Sequence, residues 1–191
     1  MYESLSWCPG QTSTPGIRRK VFFIPKSWIE KWPVLPAIDG AESMAALATY
    51  DGAFVLAADK KWQYIELLTT KSSISAESQG EVPSKTILNK ATLVHAGTDE
   101  EASGFCRQAN IDELIFLCQQ KNGKFRVIGS EAFDPSVTIS QTSGEGDTGT
   151  AGTTLEAQCT DVCPAPFYTG KIETEDGDIS GADGSAIVPG G

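Results

Sequence analysis

The chain has one histidine (His95), two methionines and, beyond residue 130, a single basic residue (Lys171). One histidine cannot supply a two-histidine metal site, and no Gly-x-Ser-x-Gly nucleophile motif is present. No uninterrupted apolar run approaches the roughly 20 residues that a membrane helix needs. The first residues, Met1 to Trp7, lack a basic region followed by an apolar one. No secretory signal is expected there, and a reducing cytoplasm is the expected place of synthesis.

The cysteine count is five (Cys8, Cys106, Cys118, Cys159 and Cys163), an odd number that argues against a disulfide framework. Cys106 and Cys118 fall on apolar faces, where a free thiol behaves as a small hydrophobe. Cys159 and Cys163 have zinc-like spacing, but this pair with one histidine falls short of four ligands. Asp176, Asp178 and Asp183 do not match a calcium-loop pattern. The segment from Gly144 to Gly149 looks like a phosphate loop but lacks a following lysine and helix, and its carboxylates would repel phosphate. It is expected to be a flexible loop. No catalytic, cofactor-binding or metal-binding residue is expected anywhere in the chain, and an enzyme is the least favoured reading.

Charge is distributed unevenly. Residues 1–130 balance 14 basic against 14 acidic residues, whereas residues 131–191 set Lys171 against 11 acidic residues. Such a surface does not bind nucleic acid by neutralising phosphates. It either keeps the protein soluble or repels DNA that must slide past.

What is present is a well-specified scaffold. Thr98 with Glu101 reads as a capping box for a helix over residues 98–109, with an apolar stripe at Ala102, Phe105, Cys106 and Ala109. The run from Leu114 to Cys118 is too short for a buried helix and reads as a strand. Asn122-Gly123 then signals a tight hairpin into the alternating residues 124–128. Further strands are expected near residues 19–24, 53–57, 62–67, 85–95, 137–140 and 153–162, with 53–57 and 62–67 paired as a hairpin. Short helical turns are expected at residues 27–30 and 42–48, and residues 71–84 form a mobile loop or a projecting hairpin. Trp7, Trp28, Trp32 and Trp62 either fill cores and contacts or line a sugar- or peptide-binding groove.

The fold expected is mainly β: a sandwich or barrel of seven or eight strands with one flanking helix and extended loops and arms. It divides into an irregular N-terminal segment (1–50) packed on the core, a β-sandwich or barrel (51–168) and an acidic, glycine-rich arm (169–191).

The stretch from Thr86 to Gly129, with its Asn122-Gly123-Lys124-Phe125-Arg126-Val127-Ile128-Gly129 hairpin end, precedes a Gly/Thr-rich loop and a strand ending Cys163-Pro164-Ala165-Pro166-Phe167-Tyr168. Over about residues 50–170 this pattern resembles the tail-tube proteins of tailed bacteriophages, including phages of gut Bacteroidales. The resemblance implies a structural subunit of the virion tail, made in the cytoplasm of a bacterial host and free of any membrane. It implies hexameric rings that stack on themselves and meet other tail proteins. Inner sheets then form one continuous barrel, through which DNA passes without specific binding. It also implies no cofactor and no active site. On this reading the surplus carboxylates face the channel. The alternatives are another virion part, namely a head decoration, connector or tail-completion protein, or a monomeric carbohydrate- or peptide-binding β-sandwich module.

Overall fold

In the computed structural model, which describes residues 2–188, the chain is mainly β with one α-helix. The strands in chain order are β1 (Ile17–Pro25), β2 (Ile29–Lys31), β3 (Val55–Leu56), β4 (Gln63–Glu66), β5 (Ser73–Gln79) and β6 (Thr86–Ala96). After α1 (Glu100–Ala109) come β7 (Leu114–Gln120), β8 (Phe125–Ile128), β9 (Ser136–Thr142) and β10 (Gly152–Asp161). The last three are β11 (Phe167–Tyr168), β12 (Lys171–Thr174) and β13 (Gly177–Ser180). Seven or eight strands were expected. The additional ones are β2, β11, the pair β12–β13 and the 7-residue β5, which pairs with β6 as an ordered sheet strand where residues 71–84 were expected to be a mobile loop or a projecting hairpin.

Two antiparallel sheets make the sandwich. One has five strands in the order β11-β8-β7-β1-β4, and the other four in the order β5-β6-β10-β9. Between them lies a core of Val21, Leu114, Phe116 and Ile128 against Ala91, Leu93, Leu155 and Ala157. The opposite face of the five-stranded sheet is also covered. Phe22, Ile24, Ile115, Leu117, Phe125 and Val127 pack there under Tyr50, Phe54, Trp62 and Ile172. A strand covered on both faces cannot alternate, which is why residues 114–118 read as one apolar run. The molecule is therefore three layers: the four-stranded sheet, the five-stranded sheet, and an outer layer of irregular chain plus the β12–β13 hairpin.

Local signals act as the sequence implies in most places. The β7–β8 turn has Gly123 at φ +97, and the Asn122 Oδ1 accepts the Lys124 N–H at 3.1 Å. Ala102 and Ala109 of α1 are buried, and Phe105 meets Phe23 edge to face with ring centroids 5.1 Å apart. The helix is capped one residue later than expected. Asp99, not Thr98, accepts the Ala102 N–H at 2.9 Å, because its carboxylate reaches the third residue on.

Three expectations are corrected. Residues 53–57 and 62–67 do not form a hairpin: β3 pairs with β2, and β4 pairs with β1 through Val21 opposite Ile65. Burial of Trp62, 1% exposed, draws the chain away from β3 and onto the outer layer. Residues 1–50 are not merely an irregular cover, because β1 lies between β7 and β4 inside the principal sheet. Residues 2–16 are loop-like and exposed. Residues 169–188 of the expected arm are not extended. They fold into β12–β13, with Ile172 and Thr174 buried and the Trp62 N–H donating to the Glu173 carbonyl at 2.8 Å. Met1 and residues 189–191 of those two segments lie outside the described residues.

Candidate assembly surface

The four-stranded sheet turns one face to the core and the other away from the protein. Its registers define the outward rows. One row runs Ser73, Thr92, Glu156, Thr138 and the next Ser75, Lys90, Gln158, Ser136. Glu77, Leu88 and Thr160 follow. The face is thus mostly hydroxyl and amide. Lys90 is ion-paired with Glu77, and Gln79 donates to Thr86 and Thr160 at 3.2 and 3.0 Å.

β5 and β9 are the outermost strands of this sheet, and each is 7 residues long. Each leaves one row of backbone N–H and C=O groups without a partner strand among the described residues. Soluble proteins usually blunt such edges with lysine, proline or a bulge. Here β9 contains no charge and no proline, β5 carries only Glu77, and neither strand shows a register shift. Sequence reasoning assigned these strands no role.

The surplus carboxylates lie elsewhere. Glu173, Glu175, Asp176, Asp178 and Asp183 sit on or beside β12–β13, in the layer on the far side of the five-stranded sheet. Glu156 alone of the acidic residues after 130 stands in the outward rows of the four-stranded sheet. Ile172 and Thr174 are buried and tie this acidic segment to the outer layer.

The other residues singled out from the sequence are dispersed. His95 is the penultimate residue of β6, and its Nδ1 lies 2.7 Å from the Glu66 carbonyl oxygen, which can only accept, so that nitrogen carries the proton. Cys159 and Cys163 are buried, and burial first, then the nearby Asp161 carboxylate, pushes their thiols up to about 12 and about 11. Thiols raised this far are protonated at neutral pH and poor nucleophiles. Burial likewise pushes Cys118 up to about 12. Asp178 pairs with Lys171 at 3.4 Å, and Asp183 accepts from the N–H and hydroxyl of Ser185 at 2.9 and 2.7 Å. No cluster of three potential metal ligands occurs among the described residues.

The loop from Gly144 to Gly149 holds a single 3-10 turn, Gly146–Thr148, and runs into a strand rather than a helix. Trp28, Trp32 and Trp62 pack in the outer-layer core, and only Trp7 is exposed, at 70%. They form no aromatic groove. No helix of the described residues is long and apolar enough to cross a membrane.

No family model matches the chain, and neither a curated protein nor a solved structure matches it.

Proposed function

We propose that the chain is a structural subunit of a bacteriophage tail tube, assembled as hexameric rings and without catalytic activity. The observation that carries this reading is the pair of unblocked edges on one sheet. β6 runs antiparallel to β5 and β10, and β10 antiparallel to β9, so β5 and β9 run in opposite directions. Joining β9 of one copy to β5 of the next extends the same antiparallel order and satisfies both edges. Repeated around a ring, the contact closes a barrel. With four strands per copy and about 4.8 Å per strand, a hexamer measures about 37 Å across the strand axes, wider than a DNA duplex.

The hydroxyl- and amide-rich rows then line the channel. Their one cation, Lys90, is paired with Glu77, which leaves little positive surface to hold phosphates, so DNA passes without adhesion. The acidic hairpin points away from the channel, toward the exterior of the tube. The subunit works in the virion after synthesis in the host cytoplasm. Related virion parts could use the same edges, and the symmetry of the assembly separates them from a tube.

Light scattering and negative-stain microscopy of the full chain test this reading. Rings with a central hole, or tubes built from them, are expected. A monomer at high micromolar concentration would overturn it in favour of a binding module.

A further inference from the structure

β4 is the last strand of the five-stranded sheet and has β1 on one side only. The Leu67 N–H donates to the Arg19 carbonyl at 2.8 Å. By alternation, Gln63 and Ile65 turn their backbone groups to β1, and Trp62, Tyr64, Glu66 and Leu68 turn theirs to the open side. Both ends of that open side are taken. The Trp62 N–H donates to the Glu173 carbonyl at 2.8 Å and the Leu68 N–H to the Val94 carbonyl at 2.7 Å. The Glu66 carbonyl accepts from His95 Nδ1 at 2.7 Å. Between them, the Tyr64 N–H and C=O and the Glu66 N–H have no strand partner among the described residues. From Trp62 to Glu66 the gap measures about 14 Å at ~3.4 Å per residue, room for about four residues of extended chain.

Beside the gap, a recess of about 400 Å³ opens into the sandwich under α1. Phe23, Ile65, Phe105 and Leu155 wall it, and the first three are only half-buried. Tyr64 and Glu66 border it through their backbone, because their side chains stand on the opposite face of β4, where Tyr64 meets Phe22. α1 brings Asp99 and Glu101 to the recess, with Glu100 between them and Arg107 in its last turn. Asp99 caps the helix, and Glu101 has no ion-pair partner among the described residues. No lysine or arginine lines the recess. Arg19 is held by the Glu66 carboxylate at 2.9 Å and Lys20 lies 4.0 Å over the Tyr64 ring, on the opposite face of β4.

We propose that this gap takes an extended peptide of another protein as an added antiparallel strand. One large apolar side chain enters the recess, and a lysine or arginine two residues before it meets Glu101. An extended chain supplies the C=O and N–H groups that Tyr64 and Glu66 lack, whereas a small apolar ligand fills the recess and leaves them unpaired. Residues two apart share a face, so the apolar and basic side chains point the same way. The acidic end of the recess lies at the Glu66 end of β4, which an antiparallel peptide reaches first. The exposed apolar segments of this chain do not offer that pattern. Residues 2–16 contain no lysine or arginine, and the Val82 tip carries Glu81 and Pro83, which has no N–H to donate. The site uses neither β5 nor β9 and does not depend on ring formation.

The test titrates the full chain into a fluorescein-labelled, end-blocked peptide, Thr-Lys-Thr-Phe-Thr, and follows fluorescence anisotropy. Saturable binding is expected, with amide exchange at Tyr64 and Glu66 slowed at least tenfold. Replacing the peptide's phenylalanine by threonine, or its lysine by glutamate, is expected to weaken binding at least tenfold. Glu101→Lys is expected to do the same and to restore binding of the glutamate peptide. N-methylation of the two threonines that flank phenylalanine removes the N–H groups that face β4 and should abolish binding. N-methylation of phenylalanine itself, whose N–H faces away, should change it less than twofold. No saturable binding, equal effects of the two methylations, or protection at β5 or β9 in place of β4 overturns the proposal. Rings that bind no peptide sink this site alone, and a monomer that binds it sinks the ring reading alone.

Discussion

The side chain of Asn89, fully buried in β6, holds Ala165 in place from across the sandwich. Its Oδ1 accepts the Ala165 N–H at 2.8 Å, and its Nδ2 donates to the Cys163 carbonyl at 3.0 Å. Ala165 has φ +32, a conformation that L-residues rarely adopt, at the bend that returns the chain from β10 to β11. One amide thus satisfies a buried donor and a buried acceptor and links the two sheets.

Asn89→Ala is expected to destabilise the monomer by about 2–4 kcal/mol, since it leaves both backbone groups buried and unpaired. Urea denaturation followed by circular dichroism measures this. A loss below about 0.5 kcal/mol would show that the amide does not hold the bend.

Ser73→Lys combined with Thr138→Lys is expected to abolish rings while leaving the subunit folded. Both residues are exposed, on β5 and β9 respectively, and edge lysines are the usual device against strand addition. Sedimentation velocity reads the oligomer and thermal melting the fold. Rings that persist unchanged would contradict the lateral contact.

Gly181→Ala is expected to loosen the C-terminal hairpin. A Cβ there would stand 2.5 Å from the Gly170 carbonyl oxygen and 2.8 Å from Tyr168 Cδ1. The Gly181 N–H donates to that same carbonyl at 2.8 Å, so the backbones have no slack. Limited proteolysis should cut residues 169–188 several-fold faster than in the parent. Unchanged cleavage would mean that the close approach of Gly181 to Gly170 does not hold the hairpin.

Asp161 gives a pH signature. Burial raises its carboxyl above the ordinary carboxylate value, opposed by the Val162 N–H that it accepts at 2.7 Å; its other oxygen, Oδ2, is buried without a partner. A carboxyl raised in the folded state binds its proton more tightly there. Its contribution is therefore complete below the unfolded value, about pH 4, and is lost as pH rises through the folded value. Asp161→Asn keeps the acceptor for Val162 and removes the charge. Relative to this variant, wild type should lose stability between pH 4 and 7. Parallel urea midpoints across that range would count against the assignment.

The parts of the fold legible in the sequence are those fixed by neighbours along the chain. Asn122-Gly123 and the α1 stripe each state their structure within a dozen residues. The pairing of β4 with β1 was not legible, because Asp59-Lys60-Lys61 looks like a hairpin turn and only the distant burial of Trp62 overrides it. In the C-terminal segment the signal existed: Ile172 and Thr174 alternate with charge, and Asp176-Gly177 is a hairpin dipeptide, with Gly177 at φ +119. The density of acidic residues masked it. The open edges of β5 and β9 could not be read at all from one strand, since an edge exists only once the order of the whole sheet is known.

The parity of the four-stranded sheet carries a last consequence. In the proposed ring an even count would return each copy to the same strand polarity as its predecessor, so any number of copies would join without a mismatched seam. The diameter would then be governed by curvature at the joints, that is, by side-chain bulk where β9 would meet β5. One strand more or fewer would force a parallel junction at every boundary.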